Sequence, residues 1–234
     1  MEYSCVTVMP VYNEAACVER VCLEWLERMR AIGGALLVIN DGSHDDTPRI
    51  LNRLAAGESD LIVVHQVNGG HGAAIMNGYR HALGLNPGWL FQVDSDGEMP
   101  ASLFPQIWAQ REQAAFVMGR RSGRQIDPLR LRLSNAHRQM LALLFGVRVS
   151  DPNIPFRLMR AGDFRTLLEA IPDGLFAPNV FLTLLAARAG ILADGPEVPL
   201  APRDGGVPSI RGWGTMRVAL RCALEMVRFR QRHW

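Results

Sequence analysis

Residues 3–30 read YSCVTVMPVYNEAACVERVCLEWLERMR, and a change of period inside this stretch decides the fold. Residues 3–9 alternate toward a buried strand, which Pro10 is expected to end. From residue 14 to 30 the apolar side chains Val18, Val21, Cys22, Trp25, Leu26 and Met29 return at helical spacing. Strand therefore gives way to helix across a short polar link, Tyr12-Asn13-Glu14.

The same alternation continues downstream. Strands are expected at 35–39, 61–66, 89–93 and 115–118, and helices from the Asn40-Asp41-Gly42-Ser43 turn to about residue 55, at 71–83 and at 101–113. Strands apolar throughout, alternating with helices, imply a doubly wound α/β fold with a largely parallel sheet covered on both faces. Such sheets bind ligands beyond the carboxyl ends of their strands. The polar clusters 12–14, 40–43, 68–72 and 94–98 fall there. After about residue 120 the rhythm is lost. An arginine-rich helix, a turn at Asp151-Pro152-Asn153 and helices near 163–170 and 178–189 are expected to build the acceptor side. Residues 196–208, rich in proline and glycine, read as a flexible loop before a last helix at 214–232. One domain, 1–210, with a basic amphipathic helix at 211–234 is the expected organisation.

Composition is that of a globular protein, with 48% hydrophobic and 21% charged residues among 234. The longest apolar run, 140–147, falls far short of the roughly 18 to 20 residues of a membrane-spanning helix. The N-terminus enters a strand without a basic leader, so the cytoplasm is the expected location. Cys5, Cys17, Cys22 and Cys222 lack metal-ligand spacing and read as buried, reduced thiols. Net charge is +2, but residues 1–110 carry 6 arginines against 13 acids while residues 111–165 carry 11 against 4. The C-terminal tail, too, is basic. An anionic partner is implied, and nucleic acid is excluded because no aromatic-interleaved basic surface accompanies the arginines.

Asp94-Ser95-Asp96 follows the apolar strand at 89–93, and residues two apart in an extended chain face one side. Two carboxylates then face one cation, with Glu98 as a candidate third oxygen. Mg²⁺ or Mn²⁺ suits such a set, since a hard ion bridging a diphosphate needs few protein oxygens. Asn68-Gly69-Gly70-His71-Gly72 opens a helix whose first N–H groups attract phosphate.

Together these segments resemble the family 2 inverting glycosyltransferases of GT-A fold, above all the dolichol- or polyprenyl-phosphate mannose or glucose synthase branch. The carriers are the motif at residues 8–14 (VMPVYNE), Asn40-Asp41-Gly42-Ser43, the glycine loop on to Gly84, Asp94-Ser95-Asp96, Gly119-Arg120-Arg121, and Asp151 through Phe156-Arg157. The resemblance implies a nucleotide-diphosphate sugar as donor, UDP- or GDP-linked. Pro10, Tyr12, Glu14 and Asp41 match nucleoside-binding positions, with Gly70, His71 and Asp94 beside the diphosphate. Asp94 and Asp96 match the metal site, Glu98 stands where the synthase branch often has a metal-binding glutamine, and Arg120 or Arg121, with Arg132 and Ser134, match the acceptor-phosphate positions. His71 stands where the motif usually has Lys or Arg, Pro155 replaces a common Gly, and the membrane helices that follow in many relatives are not in this sequence.

Catalysis is assigned to Asp96, Asp151, Arg121 and Arg132 under two alternatives. A phosphate-monoester acceptor is already anionic and needs arginine to hold it. A saccharide hydroxyl must lose its proton, and Asp151 is then the candidate base. The final helix, basic on one side and apolar on the other, suits the inner surface of the cytoplasmic membrane or packing against the domain. A nucleotidyltransferase and a non-catalytic nucleotide-sugar-binding protein remain as readings of another class.

Overall fold

A computed structural model describes residues 3–122, 128–201 and 213–234, with the side chains of 128–134, 137, 213–219 and 233 outside the description. The first half alternates as expected: β1 (Cys5–Val11), α1 (Val18–Arg30), β2 (Ala35–Asp41), α2 (Thr47–Gly57), β3 (Leu61–Gln66), α3 (His71–Gly84) and β4 (Trp89–Gln92). A short 3₁₀ turn (Ala101–Leu103) leads to α4 (Phe104–Trp108), then β5 (Phe116–Ser122), α5 (Pro128–Phe145), β6 (Arg157–Arg160), α6 (Ala161–Glu169), α7 (Pro178–Arg188), β7 (Leu192–Pro199) and α8 (Trp213–His233).

Seven strands form one sheet in the order β3-β2-β1-β4-β6-β5-β7. The strands β3, β2, β1 and β4 are mutually parallel, and the chain steps outward from β1 to β3 before returning to the other side of β1. This reversal opens a crevice at the carboxyl ends of β1 and β4, where doubly wound sheets collect ligands. β6 runs antiparallel between β4 and β5, and β7 closes the far edge parallel to β5. Helices cover both faces: the Thr7 hydroxyl reaches the Met29 sulfur of α1 at 3.0 Å, while Val8, on the opposite face, meets Gly78 of α3. Every apolar residue assigned to the inner face of α1 is buried, and Trp25 stacks on Phe91 at 5.2 Å.

Several expectations change. Pro10 lies inside β1, paired opposite Ile39, instead of ending it. The Val8 carbonyl accepts from Val93 on the β4 side, so Pro10, two residues on, turns its missing N–H to that side, where pairing with β4 has stopped at Gln92. The helix expected at 101–113 shrinks to a 3₁₀ turn and five helical residues, β5 extends through Arg120 and Arg121, and β6 and β7 appear where no strand was expected. Residues 196–199 of the expected loop belong to β7, while 202–208 and the boundary at 210–211 lie outside the described residues. Cys5, Cys17 and Cys22 are buried free thiols, but Cys222 is only half-buried.

α8 packs on the domain through Met226 and Phe229, the latter 4.6 Å from the Phe181 ring. Its Glu225 carboxylate accepts the Phe176 N–H at 3.1 Å, and the carbonyls of Leu175 and Phe176 crowd Gly72 so closely that a Cβ there would sit 2.6 and 2.7 Å away. Gly78 is similarly confined, 2.4 Å from Val8 Cγ1 when given a Cβ. Gly78→Val should lower unfolding stability by about 1 to 3 kcal/mol in urea titration, because α3 must lift from β1 and β2 to admit it.

Candidate active site

The loop after β1 and the loop after β2 are laced together. Asn13, at φ 55°, donates its N–H to Ser43 Oγ at 2.9 Å, and its side-chain carbonyl accepts the His44 N–H at 2.8 Å. The Glu14 N–H reaches Thr47 Oγ1 at 3.0 Å and the Ala15 N–H reaches Asp45 at 3.1 Å. Tyr12 stays exposed, its ring edge-on to His44. Glu14 is buried and faces the Cys17 thiol at 3.4 Å, which also reaches the Ser95 carbonyl at 3.5 Å. Burial, then the Glu14 carboxylate, pushes that thiol up to about 12, so it stays protonated as a bridge from the β1 loop to the β4 loop.

Asp41, 3% exposed, organises the glycine loop. One carboxylate oxygen accepts the Gly69 N–H at 2.8 Å and the Gln66 amide at 2.7 Å, and the other accepts the Gly70 N–H at 2.9 Å. The Asn68 amide donates to the Asp41 carbonyl at 2.9 Å. Two amides of the glycine loop, just before the helix, thus bind this chain's own carboxylate. The loop ends in Gly70, at φ 85°, and α3 starts at His71 with no side chain capping it.

At the end of β4, Ser95 is buried while Asp94 and Asp96 are both partly exposed, as same-side spacing requires. His71 Nε2 lies 3.7 Å from Asp94 Oδ1, and Gln92 donates to that oxygen at 3.3 Å. Asp96 accepts the Glu98 N–H at 3.0 Å and so closes the Gly97 turn. Burial holds the Asp94 carboxyl above the ordinary range, with His71 opposing and Asp96 reinforcing. Among the described residues no three His, Cys, Asp or Glu gather in a group that could hold a metal, so Glu98 does not complete a cage with the two aspartates. The mutual repulsion of Asp94 and Asp96 and their hard oxygens nevertheless fit a cation whose remaining ligands are diphosphate and water.

On the other side of the crevice, Arg121 Nε lies 3.1 Å from Asp151 Oδ2. Arg120 points elsewhere, donating to the Gly195 carbonyl of β7 at 3.4 Å, and so does not join Arg121. Arg132 and Ser134 lie on α5, but their side chains are outside the described residues, as are those of Arg124 and Arg130.

Sequence reasoning left Arg157 without a role, although it closes the Phe156-Arg157 motif. It is fully buried and donates to the carbonyls of Ile154 at 2.6 Å, Asn179 at 3.1 Å and Pro152 at 3.3 Å. Because β6 is antiparallel, its start, not its end, meets the ligand edge, with Arg157 opposite Gln92. Arg157 therefore fastens the turn that carries Asp151. The only sequence signal was an arginine set among apolar residues with no acid beside it.

The family 2 glycosyl transferase profile matches residues 6–168. The chain belongs to glycosyl transferase family 2. As a family 2 glycosyltransferase it is similar to the prophage bactoprenol glucosyl transferase homolog of Escherichia coli, 27% identical over 97% of this chain and 73% of that protein. It is also similar to an undecaprenyl-phosphate 4-deoxy-4-formamido-L-arabinose transferase of Shewanella sediminis, 28% identical over 73% of this chain and 52% of that protein. Glucosyl-3-phosphoglycerate synthase from Mycobacterium tuberculosis, crystallised with Mn²⁺, UDP and glucosyl-3-phosphoglycerate, superposes with TM-score 0.70 at 20% identity, over 97% of this chain and 80% of that one. That likeness shows the GT-A fold of this family 2 glycosyltransferase.

Asp41→Ala should weaken nucleotide binding by about 1 to 3 kcal/mol in calorimetry and speed hydrogen exchange at Gly69 and Gly70. Weakened binding with unchanged exchange would instead mean that Asp41 contacts the nucleoside without acting through the loop. A carboxyl raised on folding favours the protonated native state, so the ionised form destabilises the fold above its folded pKa and not below the unfolded value of about 3.9. Asp94→Asn should therefore raise Tm in chelator at pH 7, with the gain shrinking as pH is lowered toward about 4.

Proposed function

We propose that this glycosyltransferase moves a hexose from a UDP- or GDP-sugar to a polyprenyl phosphate, with inversion at the anomeric carbon. The observation that carries the reading is the Arg121–Asp151 ion pair. The carboxylate that a saccharide acceptor would need as base is in contact with a guanidinium at 3.1 Å, on the strand that also begins the arginine-rich segment. A phosphate monoester brings its own anionic nucleophile and is well met by guanidinium donors. The names of the bactoprenol and undecaprenyl-phosphate transferases to which the chain is similar support the same acceptor class.

On the donor side, Pro10, Tyr12, Glu14 and Asp41 would line the nucleoside, with Gly70 and His71 beside the diphosphate. Asp94 and Asp96 would hold Mg²⁺ or Mn²⁺, which when bound stabilises negative charge on the departing diphosphate. Asp94 lies 3.7 Å from His71 and feels the field of Arg121, which would stand on the acceptor side. Arg121, fixed by Asp151, would hold the attacking phosphate toward the anomeric carbon.

The surface of α8 supports a peripheral membrane position. Leu220, Leu224 and Val227 are exposed on a helix that also carries Arg228 and Arg232, and no helix among the described residues is long and apolar enough to cross a bilayer. An apolar stripe flanked by arginines suits an anionic lipid surface. The acceptor would then be met at the inner face of the cytoplasmic membrane.

Radiolabelled donor offered to a short-chain polyprenyl phosphate and to free saccharides tests the acceptor. Label is expected in the lipid, lost in chelator, and reduced by roughly 10- to 100-fold in Arg121→Ala, the loss of one charge-assisted hydrogen bond, with donor affinity retained. Label confined to saccharides, together with an inactive Asp151→Asn, would assign Asp151 as base and overturn the phosphate acceptor.

A further inference from the structure

Beneath Asp94 lies a chain of polar side chains with almost no solvent exposure: Tyr79 on α3, Asn179 at the start of α7, and Gln92, the last residue of β4. The Tyr79 hydroxyl is 3.0 Å from Asn179 Oδ1 and 3.2 Å from Gln92 Oε1. Asn179 Nδ2 donates to Gln92 Oε1 at 2.9 Å, and Gln92 Nε2 donates to Asp94 Oδ1 at 3.3 Å. We propose that Gln92, with its amide orientation fixed by Asn179 and Tyr79, is a positioning residue that holds the Asp94 carboxylate in its cation-binding rotation.

The direction of the chain is dictated by donor and acceptor identity. A phenol has one proton to give, and burial raises the Tyr79 hydroxyl further above its ordinary range, so it remains a donor. Donation to Asn179 Oδ1 leaves Nδ2 to face Gln92, so Gln92 must present Oε1 inward and Nε2 outward. A reversed Gln92 would set its carbonyl against the Asp94 carboxylate and its NH₂ against Asn179 Nδ2, acceptor facing acceptor and donor facing donor in the interior. Gln92 and Asp94 are two residues apart on an extended segment and share a side, so the donor meets Oδ1 directly. The His71 imidazole approaches the same oxygen at 3.7 Å. With one oxygen held, the carboxylate loses its rotation before any cation arrives. The backbone of Asn179 is held as well, its main-chain carbonyl accepting Arg157 Nη1 at 3.1 Å.

This inference rests on the cation reading of Asp94 and Asp96. Mn²⁺ binding in the presence of UDP or GDP, followed by the loss of the free-ion electron paramagnetic resonance signal, tests it on Gln92→Met and Tyr79→Phe. Gln92→Met keeps length and removes the amide's contacts with Tyr79, Asn179 and Asp94. Affinity for Mn²⁺ is expected to fall by about 10- to 100-fold, the usual effect of losing an outer-shell partner, and saturating Mn²⁺ should restore kcat with the acceptor KM unchanged. Tyr79→Phe removes only the hydroxyl and should lower affinity in the same direction by a smaller factor, which keeps the test open where Gln92→Met fails to fold. Folded variants that bind Mn²⁺ as the wild type does overturn the inference alone. A wild-type protein that binds no Mn²⁺ with either nucleotide removes the cation reading and the inference with it.

Discussion

The Arg157 guanidinium is a full charge in the interior, and much of the crevice follows from how it is satisfied. Its donors go to the carbonyls of Pro152, Ile154 and Asn179 and to the Thr183 hydroxyl, while the fields of Asp151 and Asp94 offset part of its desolvation. Carbonyl groups from the 151–154 turn and from α7 are drawn to one point, so that turn and α7 cannot shift independently. A buried charge with several donors tolerates few geometries, since each lost bond leaves a desolvated polar group. The antiparallel insertion of β6 is what delivers Arg157 there, for a parallel strand would have begun at the opposite edge of the sheet.

At the carboxyl ends of β1, β2 and β3 the corresponding constraint is backbone-to-side-chain lacing. Three successive loops at the carboxyl edge have few contacts of their own, and each is fastened by the next: Asn13 and Ser43, Asp45 and Ala15, Asp41 and the glycine pair. Loops tied in this way form a continuous wall. Cys17 then joins that wall to Ser95, so the loop bearing Asp94 and Asp96 is seated from both sides.

The parallel half was legible because its signals are periodic. The six buried residues of α1 and the apolar runs of β1 to β4 depend on burial, which writes itself into composition. β6 and β7 were not legible for separate reasons. β6 is four residues, Arg-Leu-Met-Arg, running directly into α6, and its charged ends mask a strand held by backbone pairing to β4 and β5. β7 contains Gly195, Pro196 and Pro199, which read as loop. Yet Gly195 is needed, as a Cβ there would stand 2.8 Å from the Met118 carbonyl, and the prolines are tolerated because β7 lies at the sheet edge. Of the site, the acidic motifs could be read from sequence because they follow strands, whereas Arg157 and the Tyr79–Asn179–Gln92 chain could not. The members of that chain come together from 13 to 100 residues apart, and arginine is among the least often buried residues.

The separation of charge along the sequence acquires a physical sense from the strand order. Carboxylates arrive at the ends of β1, β2 and β4 and arginines on β5 and β6, so the acidic and basic halves meet along the β4–β6 line with Asp94 and Arg157 on either side of it. An acidic wall alone would repel a diphosphate, and a basic wall alone would bind donor and acceptor phosphates without distinction. Placed face to face, the first favours a cation before a diphosphate and the second an anion that comes without one. The Arg121–Asp151 pair stands on the basic side, and under the proposed function it would keep one arginine near a carboxylate until a more strongly charged anion competes for it. Under the proposed function, discrimination between the two phosphates would then come from the sheet order itself, with net charge left close to neutral at +2.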